Sequence, residues 1–334
     1  MDNSILQIKN LLTSPNYDNR RLALVLLSQQ DDYTKLLDLF LEEGMILIIR
    51  SPKVLKQFVK SEKFAFDSSF RHAIYSYGYC FESDGPPYYF IPKEATRFRV
   101  NQIKQWDSYL GELTELIYFC LDDNQLKELP KGIEKLRKVE QLEITGNDFS
   151  IFPLELLVSE KLRDLFYQRN KTRQLPPNFE HLTCKRLYFS GNRFERFPNN
   201  KHFHFPNLEM LGLQANGLKE LDDFWEIIPK LKVLFLGDNP IEQLPENIGL
   251  LKDLTNLNLK NTKLKELPDS ILKNKRLETL VLENSPIESL PKGFEKLNLK
   301  LLDLRGTPLS LDKDYIAFLE KKWAKRYKKT EIRI

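Results

Sequence analysis

The stretch Leu116-Ile-Tyr-Phe119-Cys-Leu121-Asp-Asp-Asn124-Gln-Leu126-Lys-Glu-Leu129-Pro130 decides the fold, because the chain keeps returning to it. Its form is LxxLxLxxNxLxxLP. The form recurs as LKVLFLGDNPIEQLP over Leu231–Pro245, and again over Leu254–Pro268 and Leu277–Pro291. Aligned on the asparagine slot, the repeats carry Asn124, Asn147, Asn170, Asn192, Asn216, Asn239, Thr262, Ser285 and Thr307, spaced 22–24 residues apart. Nine repeats therefore run from Leu116 to about Leu311. A period of this size marks stacked supersecondary units.

Each slot has a chemical reason. The alternating leucines of LxL suit a half-buried strand, and one repeat cannot bury that face alone. Stacking makes a parallel sheet over a continuous apolar core. The asparagine sits where the chain leaves the strand, and a short side chain with donor and acceptor satisfies the turn's buried backbone groups. Thr and Ser do this only in part, so a weaker ladder is expected in the last three repeats. The proline of LxxLP fixes the backbone where no ladder bond is needed. Nine residues past the asparagine slot comes another apolar position: Ile133, Leu156, Phe179, Trp225, Ile248, Ile271 and Phe294. The fourth repeat has Lys201 there, and Phe203 or Phe205 is expected to fill the gap.

These motifs resemble the leucine-rich repeat family, in its short LP-containing class, similar to Ras-group and scaffold-type proteins and to bacterial intracellular repeat proteins. The resemblance covers roughly 60% of the chain. It implies an α/β solenoid, a right-handed horseshoe with a parallel sheet on its concave face, and a binding role without naming a ligand. The expected organisation is a mainly helical cap over 1–112 with a possible β-hairpin, nine repeats over 113–311, and a closing helix with a basic tail over 312–334.

Composition narrows the setting. With 334 residues the chain is long enough for about two domains. A net charge of +4, from 51 basic and 47 acidic residues, gives no general case for nucleic acid. Cys80, Cys120 and Cys184 are odd in number and widely spaced, which fits a reducing compartment, and Cys184 stands in a leucine slot as a small core residue. The start Met1-Asp-Asn-Ser-Ile-Leu-Gln lacks a secretory pattern, and Gly44–Arg50 is too short to span a bilayer. A cytoplasmic protein without membrane contact is expected.

Outside the array, Asn16 is suited to cap a helix with Leu22, Val25, Leu26 and Gln29 on one face, and a second helix carries Leu36, Leu37, Phe40 and Leu41. Ser51-Pro52 starts a third. Met45–Ile49 reads equally as strand or helix. The aromatic run His72–Phe81, the turn Ser83–Pro87 and Tyr88–Ile91 suggest a hairpin that plugs the first repeat, or else lines a ligand pocket. Asp312 starts a last helix with Tyr315, Ile316, Phe318, Leu319 and Trp323 along one side and lysines on the other. That helix closes the core, or meets an anionic surface.

Residues between the strand leucines point away from the core onto the concave face. The central column reads Cys120, Glu143, Phe166, Tyr188, Gly212, Phe235, Asn258, Val281 and Asp303. The column before it includes Tyr118, Gln141, Asp164, Arg186, Met210, Val233 and Asn256, and the column after it includes Gln168, Ser190, Gln214 and Lys260. Repeats three to six thus present Phe166, Tyr188, Met210, Val233 and Phe235, large apolar groups that the fold itself does not require. Gly212 leaves a gap for a partner side chain. Arg163, Arg169, Lys171, Arg173, Lys185, Arg186, Arg193 and Arg196 form a basic zone beside the patch, suited to an acidic protein segment. The expected partner-binding set is Phe166, Tyr188, Met210, Val233, Phe235, Arg163, Arg186 and Gln168.

Catalytic motifs are missing. No Gly-rich phosphate loop or HExxH occurs, His202 and His204 have no cysteine nearby to complete a zinc set, and the repeat geometry places no histidine beside Cys120. The expectation is a non-catalytic adaptor or scaffold for protein partners, without cofactor or metal and without nucleic acid. The alternatives are an enzyme or small-ligand site around Tyr75–Tyr89, or a structural spacer. Oligomeric state is left open.

Overall fold

The computed structural model describes residues 45–49, 88–92, 96–99, 108–129, 131–176, 179, 184–197, 205–221, 227–324 and 330–334, with eight helical positions between 7 and 26. The aromatic run 72–81, the helices expected over 31–60, His202, His204, Trp225 and the tail 325–329 lie outside the described residues. The chain divides into two compact units, Met1–Glu143 and Ile144–Ile334.

In the N-terminal unit, β1 (Met45–Ile49) pairs antiparallel with β2 (Tyr88–Pro92), which resolves the first segment as strand. Its strand pairing runs to Tyr88–Pro92 across a long connection. On the first expected helix, Leu22 of the expected face is exposed, while Ala23, outside that face, is buried. Next come β3 (Arg97–Arg99), β4 (Tyr118–Cys120) and β5 (Gln141–Glu143), parallel and in chain order. β3 precedes the first repeat and lies outside the repeat pattern. Its buried Phe98 stacks on Phe119 at 5.8 Å, covering the end of the leucine core.

The C-terminal unit continues the same plan. Its strands are β6 (Asp164–Phe166), β7 (Arg186–Tyr188), β8 (Met210–Gly212), β9 (Val233–Phe235), β10 (Asn256–Asn258), β11 (Thr279–Val281), β12 (Leu301–Asp303) and β13 (Glu331–Arg333). Each pairs in parallel with the next. The leucine slots of the strand motif are all buried, including Cys184, whose thiol is pushed up by burial. Short 3-10 turns such as Glu246–Leu250, Asp269–Lys273 and Phe294–Lys296 return the chain and bury Ile248, Ile271 and Phe294. In the fourth repeat Phe205 is buried and meets Phe179 edge-on at 5.8 Å, filling the place the apolar slot leaves open there. Repeats two to four also hold an aromatic cluster, in which Phe152 packs 4.9 Å from both Tyr167 and Phe179. Tyr167's hydroxyl is 2.7 Å from that of Thr172, which keeps this polar tip satisfied inside the core.

Two ladders run beside the strands. The residue before each asparagine slot is left-handed in all nine repeats: Asp123, Gly146, Arg169, Gly191, Ala215, Asp238, Asn261, Asn284 and Gly306 have φ between 50° and 70°. This turns the chain off the strand so that the asparagine enters the core. The asparagine then serves the repeat before it. Asn239 Nδ2 donates to Leu236 O at 2.8 Å and back to Leu213 O at 2.9 Å, while its Oδ1 accepts from the backbone of Asn216 and Leu218. Asn170 and Asn192 show the same pattern earlier in the array. As expected, the hydroxyl rungs are poorer. Ser285 Oγ still reaches back to Leu259 O at 2.8 Å, whereas the carbonyl to which Thr307 Oγ1 donates is Leu304 O of its own repeat.

After the ninth repeat, Asp312 accepts the backbone N–H of Tyr315 at 2.9 Å and caps α1 (Lys313–Ala324). Ile316, Leu319 and Trp323 are buried, and Trp323 donates its indole N–H to Leu297 O at 3.0 Å. Phe318 is exposed instead, stacked 6.0 Å from Tyr315. Glu331–Arg333 then adds β13 beside β12. Strand, left-handed turn and short return, repeated and stacked, make an α/β solenoid.

Candidate functional site

On the C-terminal unit, the parallel register sets Phe166, Tyr188, Gly212 and Phe235 on successive strands in one column, with Asp164, Arg186, Met210 and Val233 in the column beside it. The expected apolar group is therefore brought together on one face of the sheet. Phe166 and Tyr188 stack face to face with ring centres 4.6 Å apart and planes 8° from parallel. Both are half-buried, as are Met210, Val233 and Phe235. Tyr188 donates its hydroxyl to Met210 Sδ at 2.7 Å, which ties the stack to β8. Burial raises the Tyr188 phenol above its ordinary value although the charge of Arg186 pulls the other way, so the ring stays neutral at physiological pH.

Three expectations need correction. Gly212 is not an open gap: a Cβ placed there would lie 3.3 Å from the Tyr188 ring and from Gln214 Oε1, so the tyrosine already leans over it. Arg186 is not an unpaired cation: its Nε and Nη2 both bind the Asp164 carboxylate at 2.5 Å, while the side chain stays exposed. That fork also covers Asp164, which is buried despite its outward position. Cys120, expected on the surface of the N-terminal unit, is fully buried, and burial pushes its thiol up. A buried, protonated thiol is a poor nucleophile.

Charge surrounds the apolar strip on both sides. At the strand starts lie Arg163, Lys185, Arg186 and Lys232 together with Asp164 and Glu209. Arg186 and Lys232 hold those two carboxylates, the latter at 2.8 Å. Beyond the strand ends lie Arg169, Lys171 and Arg193 against Asp148, which Lys171 binds at 2.6 Å. Gln168 is half-buried at the edge of the strip. The last repeats differ: Asp303, Arg305, Glu283 and Lys260 neutralise one another through contacts of 2.6, 3.1 and 3.0 Å.

Among the described residues, one group could be considered for a metal ion: Cys120, Asp122 and Glu143, with ligand atoms within 4.8 Å of one another. Sequence spacing alone does not suggest it. Both Glu143 oxygens are already bound, by Tyr118 at 3.0 Å and Gln141 at 2.8 Å, and Arg99 lies 3.8 Å from Asp122. The group reads as a hydrogen-bonded network. No helix among the described residues is long and apolar enough to cross a membrane.

Comparison with known proteins agrees with this architecture. A leucine rich repeat family model matches residues 206–264. Keratocan from Homo sapiens is 28% identical over 138 residues, covering 33% of this chain and 38% of keratocan. The flightless-1 homolog of Caenorhabditis elegans is 28% identical over 120 residues, covering 35% of this chain and 10% of that protein. The chain thus matches well under half the length of either relative. A chain of the solved octameric complex of Latrophilin 3, Unc5D and FLRT2 is 19% identical with a TM-score of 0.58, over 73% of this chain and 84% of that one. At that identity the likeness concerns the fold alone. The nine-fold period, the strand ladder and the family match together make this chain a leucine-rich repeat protein.

Proposed function

We propose that this chain is a non-catalytic adaptor that holds a protein partner on the open sheet face of repeats three to six. The observation that carries the reading is the stacked, half-exposed Phe166–Tyr188 pair, continued by Met210, Val233 and Phe235 and bordered on both sides by basic residues. Aromatic groups on a rigid sheet give large contact area at little entropy cost, and the flanking cations favour a partner with an acidic segment. Protein binding is the general role of such repeat arrays, and the face found here is where this one departs most from what folding needs. Catalysis is not part of the proposal, since both described cysteines are buried and raised. The same free cysteines support a reducing, cytoplasmic setting.

The test is affinity capture from native extract with wild type and with Tyr188→Glu/Phe235→Ala, at two salt concentrations. A protein retained by wild type, lost with the double variant and weakened by salt supports the reading. Identical capture by both, with unchanged circular dichroism, removes the face from consideration.

A further inference from the structure

Four carboxamides lie on or beside this face of the C-terminal unit. Two are used internally: Gln214 Oε1 accepts from Ser190 Oγ, and Asn258 Oδ1 accepts the backbone N–H of Lys260 at 3.0 Å. The side chains of Gln168 and Asn256 make no hydrogen bond among the described residues, and both are half-buried at opposite ends of the apolar strip. Gln168 follows β6 at the strand-end side, and Asn256 opens β10 at the strand-start side. The diagonal between them passes Tyr188 and Gly212 and then runs between Val233 and Phe235, with Met210 to one side.

A carboxamide offers one acceptor and two donors, which is what an unpaired peptide group needs. Four strand spacings of about 4.8 Å and four residues along the strands put the two amides roughly 23 Å apart. At about 3.3 Å per residue this is the reach of about seven residues of extended chain. On a helix or folded surface most backbone groups are already paired, so an extended segment is the form that offers backbone groups to both amides at that separation. The cations on both sides of the diagonal suit carboxylates on such a chain.

We infer that the occupant of this face is an extended peptide segment of about seven residues, bonded through its backbone by Gln168 and Asn256. Its apolar side chains rest on Tyr188 and Val233, and its acidic ones lie nearest Arg169 at the Gln168 end and Lys232 at the Asn256 end. The inference rests on the adaptor reading and adds the form of the partner.

The experiment pans the full chain against a phage-displayed library of random linear twelve-residue peptides. The expected result is a consensus with apolar and acidic positions. Binding of a synthetic consensus peptide should be lost with Tyr188→Glu and weakened about tenfold by Gln168→Ala or Asn256→Ala, two solvent-facing changes that leave the core intact. Peptides lost with Tyr188→Glu but indifferent to both carboxamide variants overturn the backbone clamp and leave the adaptor reading standing. Failure to enrich any peptide, while a native protein is still captured through Tyr188, overturns the extended segment alone. Peptides indifferent to Tyr188→Glu overturn both.

Discussion

At the scale of single residues, the chain is governed by positions where one atom has no substitute. Ala215 holds φ 50°, a left-handed conformation that its Cβ disfavours, at a step where Gly146, Gly191 and Gly306 stand in other repeats. Ala215→Gly should therefore stabilise the fold by about 1 kcal/mol, against the smaller entropy cost of glycine, and a rise in the urea midpoint with unchanged slope would show it. This ladder is legible in the sequence: seven of its nine members are Gly, Asp or Asn, aligned just before the asparagine slot. Asp303 is not legible there as a buried charge. Burial alone would raise its carboxyl. The hydrogen bonds and charge of Arg305, with Arg333 nearby, outweigh that and hold it below the usual carboxylate range. A folded value below the unfolded one gives stability that is present above the ordinary aspartate value of about 4 and is lost as pH falls through the lower folded value. Asp303→Asn should flatten that acid limb, measured as unfolding midpoint against pH between about 5 and 2. An unchanged limb would assign the loss to other carboxylates.

At the scale of elements, the two strands the repeat pattern could not supply are the instructive ones. Arg97–Arg99 and Glu331–Arg333 are three residues each, with one buried or half-buried side chain between two charged ones. Nothing in so short an alternation separates a strand from a loop, and only the neighbouring strand creates them. Helix α1 is legible because Asp312 caps it and its apolar residues keep helical spacing. Its buried face is less so, since Phe318 finds a partner in Tyr315 on the outside. Trp323 anchors the element: it is buried, edge-on to Phe294 at 6.3 Å, and bonded to Leu297 O. Trp323→Ala should cost about 3–5 kcal/mol. Contacts in a stacked array reach only the neighbours, so amide exchange should quicken at Leu304 and Glu331 while Leu259 stays protected. Equal quickening at all three would mean that the unit opens as a whole.

At the scale of the molecule, the array and its face come from different parts of the same code. The leucine and asparagine slots repeat because every repeat must bury and satisfy the same groups, so nine repeats are legible from spacing alone. The apolar strip is legible for a complementary reason, since Phe166, Tyr188 and Phe235 occupy slots where folding is indifferent. What stays hidden is how side chains share that face: Arg186 forked onto Asp164, Tyr188 spread across Gly212, Gln168 and Asn256 left without a bond among the described residues. Such pairings depend on neighbours 22–24 residues away and on rotamers, which no spacing encodes. The backward reach of each asparagine has a consequence for synthesis. A ribosome delivers the chain from its N-terminus, and the carbonyl at Leu213 and the amide at Leu218 wait for Asn239, made more than twenty residues later. A repeat held by such an asparagine therefore leaves the exit tunnel with open bonds, and the newest one is completed only when the repeat after it has emerged.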